Sequence, residues 1–251
     1  MLTSAMRLAF AAWGRNTREL SLANLVFFVL VAIPALLLRW APPGLGALLA
    51  LLLGLVWAWL CFATLSAATA QIMEGAFRPR VLRDWIRRHV LERLAALFVT
   101  LLLLAWAGLA LKFYSSVGLP AWVLIPVLGL IGPLALWTVL ALLASVGVAA
   151  LDAQAWRAAW KASALLPLAY PGAWLGAALL GLALSGLPLL WIGLKHWSAP
   201  LFFAPLALSP FITVAYFAAT LVHLVRSLAV MAAGEEGPQA PSWRELWNPW
   251  R

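Results

Sequence analysis

The arginines of one short stretch are the first residues of this sequence whose chemistry suggests a site. The stretch "FRPRVLRDWIRRH" fills positions 77–89 of a chain in which 10% of residues are charged and 65% are hydrophobic. Guanidinium groups bind phosphates and carboxylates through paired N–H donors, so the cluster predicts contact with anionic lipid headgroups or an acidic partner protein. A phosphorylated ligand and a simple interfacial connector are the alternatives. The candidate surface comprises Arg78, Arg80, Arg83, Arg87, Arg88 and Arg93.

A polar stripe late in the chain is the second candidate site. Its members recur at intervals of three and four residues, which places them on one face of a helix. Such a face can line a substrate path, with a histidine as the titrating group, or it can form hydrogen bonds between helices. The stripe comprises Thr213, Tyr216, Thr220, His223 and Ser227.

The sequence does not predict catalytic chemistry. The three histidines, His89, His196 and His223, are far apart, and Cys61 is the single cysteine, so no cluster has the spacing of metal ligands. Neither a nucleotide-binding loop nor a nucleophile elbow occurs. We therefore expect a non-enzymatic protein with no metal and no cofactor.

The elements that position these residues are long apolar runs. A helix needs about 20 apolar residues to cross a hydrocarbon core of about 30 Å, and unbroken runs exclude the alternation of a β-barrel. The sequence predicts an all-α, polytopic integral membrane protein with about six transmembrane helices. The predicted spans are 21–39, 47–71, 94–116, 121–149, 171–194 and 202–225.

The distribution of charge predicts the orientation. With the amino terminus in the cytoplasm, the 17 Lys and Arg residues all fall on the cytoplasmic side except Arg39, Lys112 and Lys195. This positive-inside bias predicts six spans with both termini cytoplasmic. Because membrane topology accounts for the net charge of +9, no nucleic-acid partner is expected.

An internal repeat organises the chain. Trp13, Trp85 and Trp160 each precede a span, and each span is followed by a returning one. We interpret residues 1–233 as one membrane domain of three repeats, 1–73, 74–150 and 151–233. Each repeat consists of an interfacial amphipathic helix and two spans. The surface helix of the second repeat is predicted over 81–97, where apolar residues follow helical spacing. Residues 234–251 are predicted to form a cytoplasmic linker and an amphipathic Trp-rich tail.

Three stretches resemble the YesL-like family, bacterial six-span membrane proteins of unknown function. They are "LANLVFFVLVAIPAL" at 22–36, "SAATAQIMEGAFRPRVLRDWIRRH" at 66–89 and "LDAQAWRAAWKASALLPLAYPGAWL" at 151–175. The resemblance implies the bacterial inner membrane and an accessory role beside sugar-uptake transporters. It provides no catalytic residues.

The leading functional hypothesis is an accessory or regulatory component of a membrane complex, such as one built on a solute transporter. Its expected partners are anionic lipid headgroups on the cytoplasmic side and a membrane protein. The alternative is a small-molecule transporter with a path between the three repeats. A polar-lined central cavity would favour the transporter, and a centre filled by leucine, alanine and tryptophan would favour the accessory role.

Overall fold

The computed structural model of the chain describes residues 1–38, 42, 44–75, 77–118, 120–151, 156–193 and 200–232. The predicted tail over 234–251 lies outside these residues, as do Arg39 and Lys195. The described part of the chain is all helical, which confirms the predicted class. Its helices are α1 (Leu2–Arg15), α2 (Thr17–Leu38), α3 (Leu45–Met73), α4 (Pro79–Ser116), α5 (Ala121–Ala150), α6 (Trp156–Ala169), α7 (Pro171–Gly193) and α8 (Pro200–Ala232).

Several of these helices have the length and composition of membrane spans. Helices α3, α4 and α5 qualify individually, together with the Ile212–Met231 part of α8. The α1–α2 pair and the α6–α7 pair each add one span if a bent pair is counted as one. Helix α5 continues through Pro126 and Pro133 without ending. The described residues thus contain four to six apolar helices that can cross a membrane.

Both bent pairs turn at residues that interrupt a helix. The bend between α1 and α2 is 103°, and the bend between α6 and α7 is 100°. At the first bend Asn16 has φ −127° and ψ 34°, and its backbone N–H donates to the carbonyls of Ala12 and Trp13. At the second bend Pro171 lacks an N–H and disfavours a helical conformation at Tyr170. Local sequence therefore accounts for both turns.

Helix α4 differs from the separate surface helix predicted over 81–97. It runs unbroken for 38 residues, so the arginine-rich segment and the following apolar run form one rod. At 1.5 Å per residue its length is about 57 Å, well beyond the roughly 30 Å of a hydrocarbon core. The reason for its continuity is that 81–97 contains neither glycine nor proline, nor a serine, threonine or asparagine that would favour a cap.

The core is built around α8. This helix contacts α1, α2, α3, α5 and α7. Its Leu221, Leu224 and Leu228 pack with Trp174 of α7 and Val148 of α5 in the main apolar cluster. Helix α7 approaches α8 closely at Gly181, where an added Cβ would lie 2.6 Å from Cζ of Phe217.

Large apolar side chains away from this core are exposed. On α3 they extend from Leu45 to Trp57, on α4 from Phe98 to Phe113, and on α5 from Trp122 to Val139. A water-soluble protein rarely presents so extended an apolar surface, whereas lipid covers one at no cost. These three helices therefore have the exposure pattern of membrane spans.

Candidate functional site

Five of the six predicted surface arginines form an exposed patch on the first turns of α4. We call this the basic surface and define it as Arg78, Arg80, Arg83, Arg87 and Arg88. Arg78 is the N-cap residue, and Pro79 begins the helix, a position where its missing N–H has no intrahelical role. Because the other four arginines stand on regular helix, the patch has a fixed geometry.

Arg93 does not belong to that surface. It is only 3% exposed, which corrects the prediction that it lies with the other arginines. Its Nη1 donates to the backbone carbonyl oxygen of Ser145 on α5. Its Nη2 lies 3.7 Å from Oε2 of Glu92, and its buried Nε–H has no hydrogen-bond partner in the part of the chain that the structure describes. Arg93 thus anchors α4 to α5.

Trp85 is the second anchor. It is 4% exposed, and its Nε1–H donates to the carbonyl oxygen of Ala149 at 2.9 Å. The same ring packs on Ala63 and Ala67 of α3. Trp85 therefore joins α4 to both neighbouring helices.

A line of contacts continues between these two anchors. The ring centroids of Trp85 and His89 are 5.3 Å apart, and Nδ1 of His89 lies 2.9 Å from Oε2 of Glu92. The spacing Trp85, His89, Arg93 is four residues each time, so one face of α4 carries all three. This spacing is the sequence signal that could have separated Arg93 from the basic surface.

The predicted polar stripe on α8 joins helices. Thr213, Thr220 and Ser227 are buried, while Tyr216 and His223 are half-buried. The Tyr216 hydroxyl donates to the carbonyl oxygen of Met6 on α1 at 3.1 Å, and Thr220 donates to the Tyr216 carbonyl oxygen at 2.9 Å. Nε2 of His223 is buried with no partner among the described residues. The Tyr216 bond joins α8 to α1, whereas the Thr220 bond lies within α8.

Asn24 is a buried polar residue that was not among the predicted site residues. Its Oδ1 accepts a hydrogen bond from the backbone N–H of Ala215 at 2.6 Å, which ties α2 to α8. A lone asparagine in an apolar run is the signal that could have identified it, since a polar group buried among apolar helices needs a partner.

A groove lies between α2 and α4, both of which pack against α3. We call it the α2–α4 groove; its volume is about 540 Å³. Leu22, Val26 and Leu30 form the α2 side. Its other lining residues include Thr64 and Ala68 of α3 and Leu82, Ile86 and Val90 of α4. The charged lining residues among those described are Glu19 and Arg93.

A second cavity, also of about 540 Å³, lies among α2, α3, α5, α7 and α8. Its lining is aromatic and aliphatic, and the aromatic lining residues are Phe27, Phe28, Trp59, Phe62 and Phe217. None of the five stripe residues is among its described lining residues. The stripe therefore does not form a polar path through this cavity.

One ion pair joins the helix ends beside the basic surface. Arg226 of α8 pairs with Glu74, the C-cap residue of α3.

In the part of the chain that the structure describes, no group of three or more His, Cys, Asp or Glu side chains is placed to hold a metal ion.

Fold and site together define a helical bundle with four to six helices of membrane-spanning length and a fixed basic surface on one of them. Comparisons of the chain with models of protein families, with curated proteins and with solved structures find no match.

Proposed function

We propose that this chain is a non-enzymatic integral membrane protein that serves as an accessory or regulatory component of a membrane complex, such as one built on a solute transporter. The observation that carries the proposal is the basic surface on α4. Its exposed arginines stand on a helix whose opposite face is anchored by Trp85 and Arg93.

Rigidity makes this surface suitable for recognition. Arginines on a flexible loop lose backbone and side-chain entropy when they bind, whereas a helix held at two points has its backbone already ordered, so only the arginine side chains lose entropy. Arginine forms paired hydrogen bonds with carboxylates and phosphates. An acidic segment of a partner protein and anionic lipid headgroups are the ligands that such a surface fits.

The centre of the bundle also supports this proposal. The buried residues around α8 are mainly alanine, leucine and valine with Trp174 and Phe217, and α8 itself carries the buried hydroxyl residues Thr213, Thr220 and Ser227. The adjoining cavity is lined by apolar side chains. A path for a polar solute would require polar groups to replace its water, so this centre favours the accessory role.

The orientation and repeats are part of the same proposal. We propose the bacterial inner membrane as the location, six spans, both termini cytoplasmic, and the three repeats 1–73, 74–150 and 151–233. The sharp bends of α1–α2 and α6–α7 support a surface helix followed by a span in the first and third repeats. The resemblance to YesL-like proteins over 22–36, 66–89 and 151–175 supports the accessory role.

The second cavity, among α2, α3, α5, α7 and α8, supports a transporter as the second candidate function. Helices from all three proposed repeats line it, as a path between repeats would require. Its aromatic walls restrict the cargo to apolar small molecules.

Co-purification tests the accessory role. The tagged chain would be extracted from its native membranes in a mild detergent, and stoichiometric partners would be quantified by mass spectrometry. We expect one partner at a constant ratio to the chain. Replacing Arg80 and Arg88 together with glutamine should weaken its retention about thirtyfold, if each arginine contributes about 1 kcal/mol.

The matched control replaces Arg15 and Arg18, two exposed arginines near the α1–α2 bend, with glutamine. It removes the same charge and should leave the partner bound. Recovery of the wild-type chain without any stoichiometric partner would contradict the accessory role. Equal losses in both double variants would contradict the basic surface as the binding site.

A further inference from the structure

The α2–α4 groove has the properties of a ligand site. Its volume of about 540 Å³ falls within the range of about 300–1,000 Å³ that is usual for small-molecule sites. Its lining is almost entirely apolar. At one end the Nε1–H of Trp57 on α3 donates to the carbonyl oxygen of Leu30 on α2 at 2.9 Å, which fixes the spacing of those two walls.

Arg93 provides an independent indication of a ligand. It lines the groove, is almost fully buried, and has an Nε–H with no acceptor among the described residues. Buried donors are nearly always satisfied by protein or by a bound molecule, and a charged donor is the most costly to leave unsatisfied. Neighbouring atoms cover this N–H, so a ligand oxygen would reach it after a small rotation of the Arg93 side chain toward the groove.

The arginine-rich turns of α4 lie at the same depth along the groove as apolar residues of the other two walls. Trp85 of α4 packs on Ala63 and Ala67, within the predicted span 47–71 of α3. The arginine-rich turns of α4 thus lie beside apolar parts of α2 and α3. Arg83 and Arg87 each follow a groove-lining residue, Leu82 and Ile86, by one position, or about 100° around the helix.

We propose that the α2–α4 groove binds one anionic phospholipid. An acyl chain lies against the walls formed by α2 and α3, and the phosphate–glycerol oxygens accept hydrogen bonds from the arginines of α4. Arg93 supplies the buried donor, and Arg83 and Arg87 lie at the rim. The carboxylate of Glu19, the acidic lining residue, is on the α2 side, which directs the lipid phosphate toward α4.

This lipid site goes beyond the accessory role and does not rest on it. Lipid binding is measured on the purified chain without a partner, and Arg80 and Arg88, which test the partner surface, do not line the groove. The two proposals can therefore fail separately.

Native mass spectrometry on delipidated full-length protein tests the site. Dioleoyl-phosphatidylglycerol and dioleoyl-phosphatidylcholine, which share acyl chains, would be titrated separately in a neutral detergent. We expect one phosphatidylglycerol per chain, bound about tenfold more tightly than phosphatidylcholine, because both lipids carry the same phosphate but the choline cation is repelled by the arginines of α4. Replacing Arg93 with glutamine removes a charged donor to the phosphate and should weaken phosphatidylglycerol binding about tenfold.

The acyl-chain site is tested by filling the groove. Val26 lines it and is 49% exposed, so Val26→Trp adds bulk to its α2 wall without disturbing the core. This variant should bind phosphatidylglycerol about tenfold more weakly. Val29→Trp is the matched control, because Val29 is 59% exposed on the same helix and is not among the lining residues. Arg15→Gln is the control for Arg93→Gln, because Arg15 is exposed on α1 and is not among the lining residues of the groove.

Four results would overturn the proposal. The first is equal binding of the two lipids by the wild-type chain, and the second is unchanged binding by Val26→Trp. The third is displacement of the lipid by millimolar inorganic phosphate, which would assign the arginines to a free anion. The fourth is binding of a lipid only after residues 234–251 are deleted, which would assign the groove to the Trp-rich tail.

Discussion

Helix α4 joins two segments whose surroundings are opposite. Over 79–93 four of its exposed side chains are arginines, beside the exposed Val81 and Leu91, whereas Trp85 and Arg93 are buried and hydrogen-bonded to α5. Over 94–116 its outward side chains are large and apolar, including Phe98, Trp106 and Leu109. One uninterrupted helix therefore passes from a polar surface to an apolar one.

This difference shows how a single helix can serve as both anchor and span. The apolar segment needs only lipid around it, because burial against protein is not required for apolar side chains in a membrane. The basic segment needs specific contacts, because arginine side chains gain little from either acyl chains or an apolar core. Its hydrogen bonds to the carbonyl groups of α5 provide them.

The largest expected effect contrasts two tryptophans of α4. Trp85→Ala removes a buried ring and should lower the free energy of unfolding by about 3–5 kcal/mol. Trp106, which is 53% exposed, is the control, and Trp106→Ala should cost less than about 1 kcal/mol. Thermal unfolding in detergent measures both. Similar losses in the two variants would show that the two segments are not differently packed.

The next effect contrasts two arginines. Arg93→Gln removes a charged hydrogen bond to the Ser145 carbonyl oxygen and should lower the free energy of unfolding by about 1.5–3 kcal/mol. Arg87 is exposed, so Arg87→Gln should change it by no more than about 0.5 kcal/mol. The same unfolding assay applies. If Arg87→Gln were the more damaging change, Arg93 would not be an anchor.

The smallest effect isolates one hydrogen bond. Trp85→Phe keeps an aromatic ring but loses the donor to the Ala149 carbonyl oxygen, so we expect a loss of about 0.5–1.5 kcal/mol, plus a small packing loss. Trp106→Phe provides the matched change outside the anchor. A loss in Trp85→Phe no larger than in Trp106→Phe would assign the contribution of Trp85 to packing alone.

The helices could largely be predicted from the sequence because apolar runs of this length have few other structures in a membrane. The continuity of α4 could also have been inferred. Its segment 81–97 lacks the residues that interrupt the chain at Asn16 and Pro171, and the repeat pattern concealed this difference. An internal repeat predicts equivalent positions but not equivalent helix breaks.

The sites were predicted less completely, because burial depends on distant residues. The buried Arg93 donates to a carbonyl oxygen 52 positions away in the sequence, and the buried Asn24 accepts from an N–H 191 positions away. Periodicity places Arg93 on the same face as Trp85. Because arginine is rarely buried, its charge led to the prediction that it is exposed with the other arginines. The exposure of the other five arginines followed from composition alone.

The most direct test of the account asks whether α4 crosses the membrane with its basic segment on the cytoplasmic side. Single cysteines would replace Arg83 and Lys112 in a chain in which Cys61 is alanine; at 1.5 Å per residue these positions are about 43 Å apart. A membrane-impermeant maleimide would then be applied to intact cells and to permeabilised cells. The account predicts that the Lys112 position is labelled in both and the Arg83 position only after permeabilisation. Labelling of both positions from the same side would contradict it.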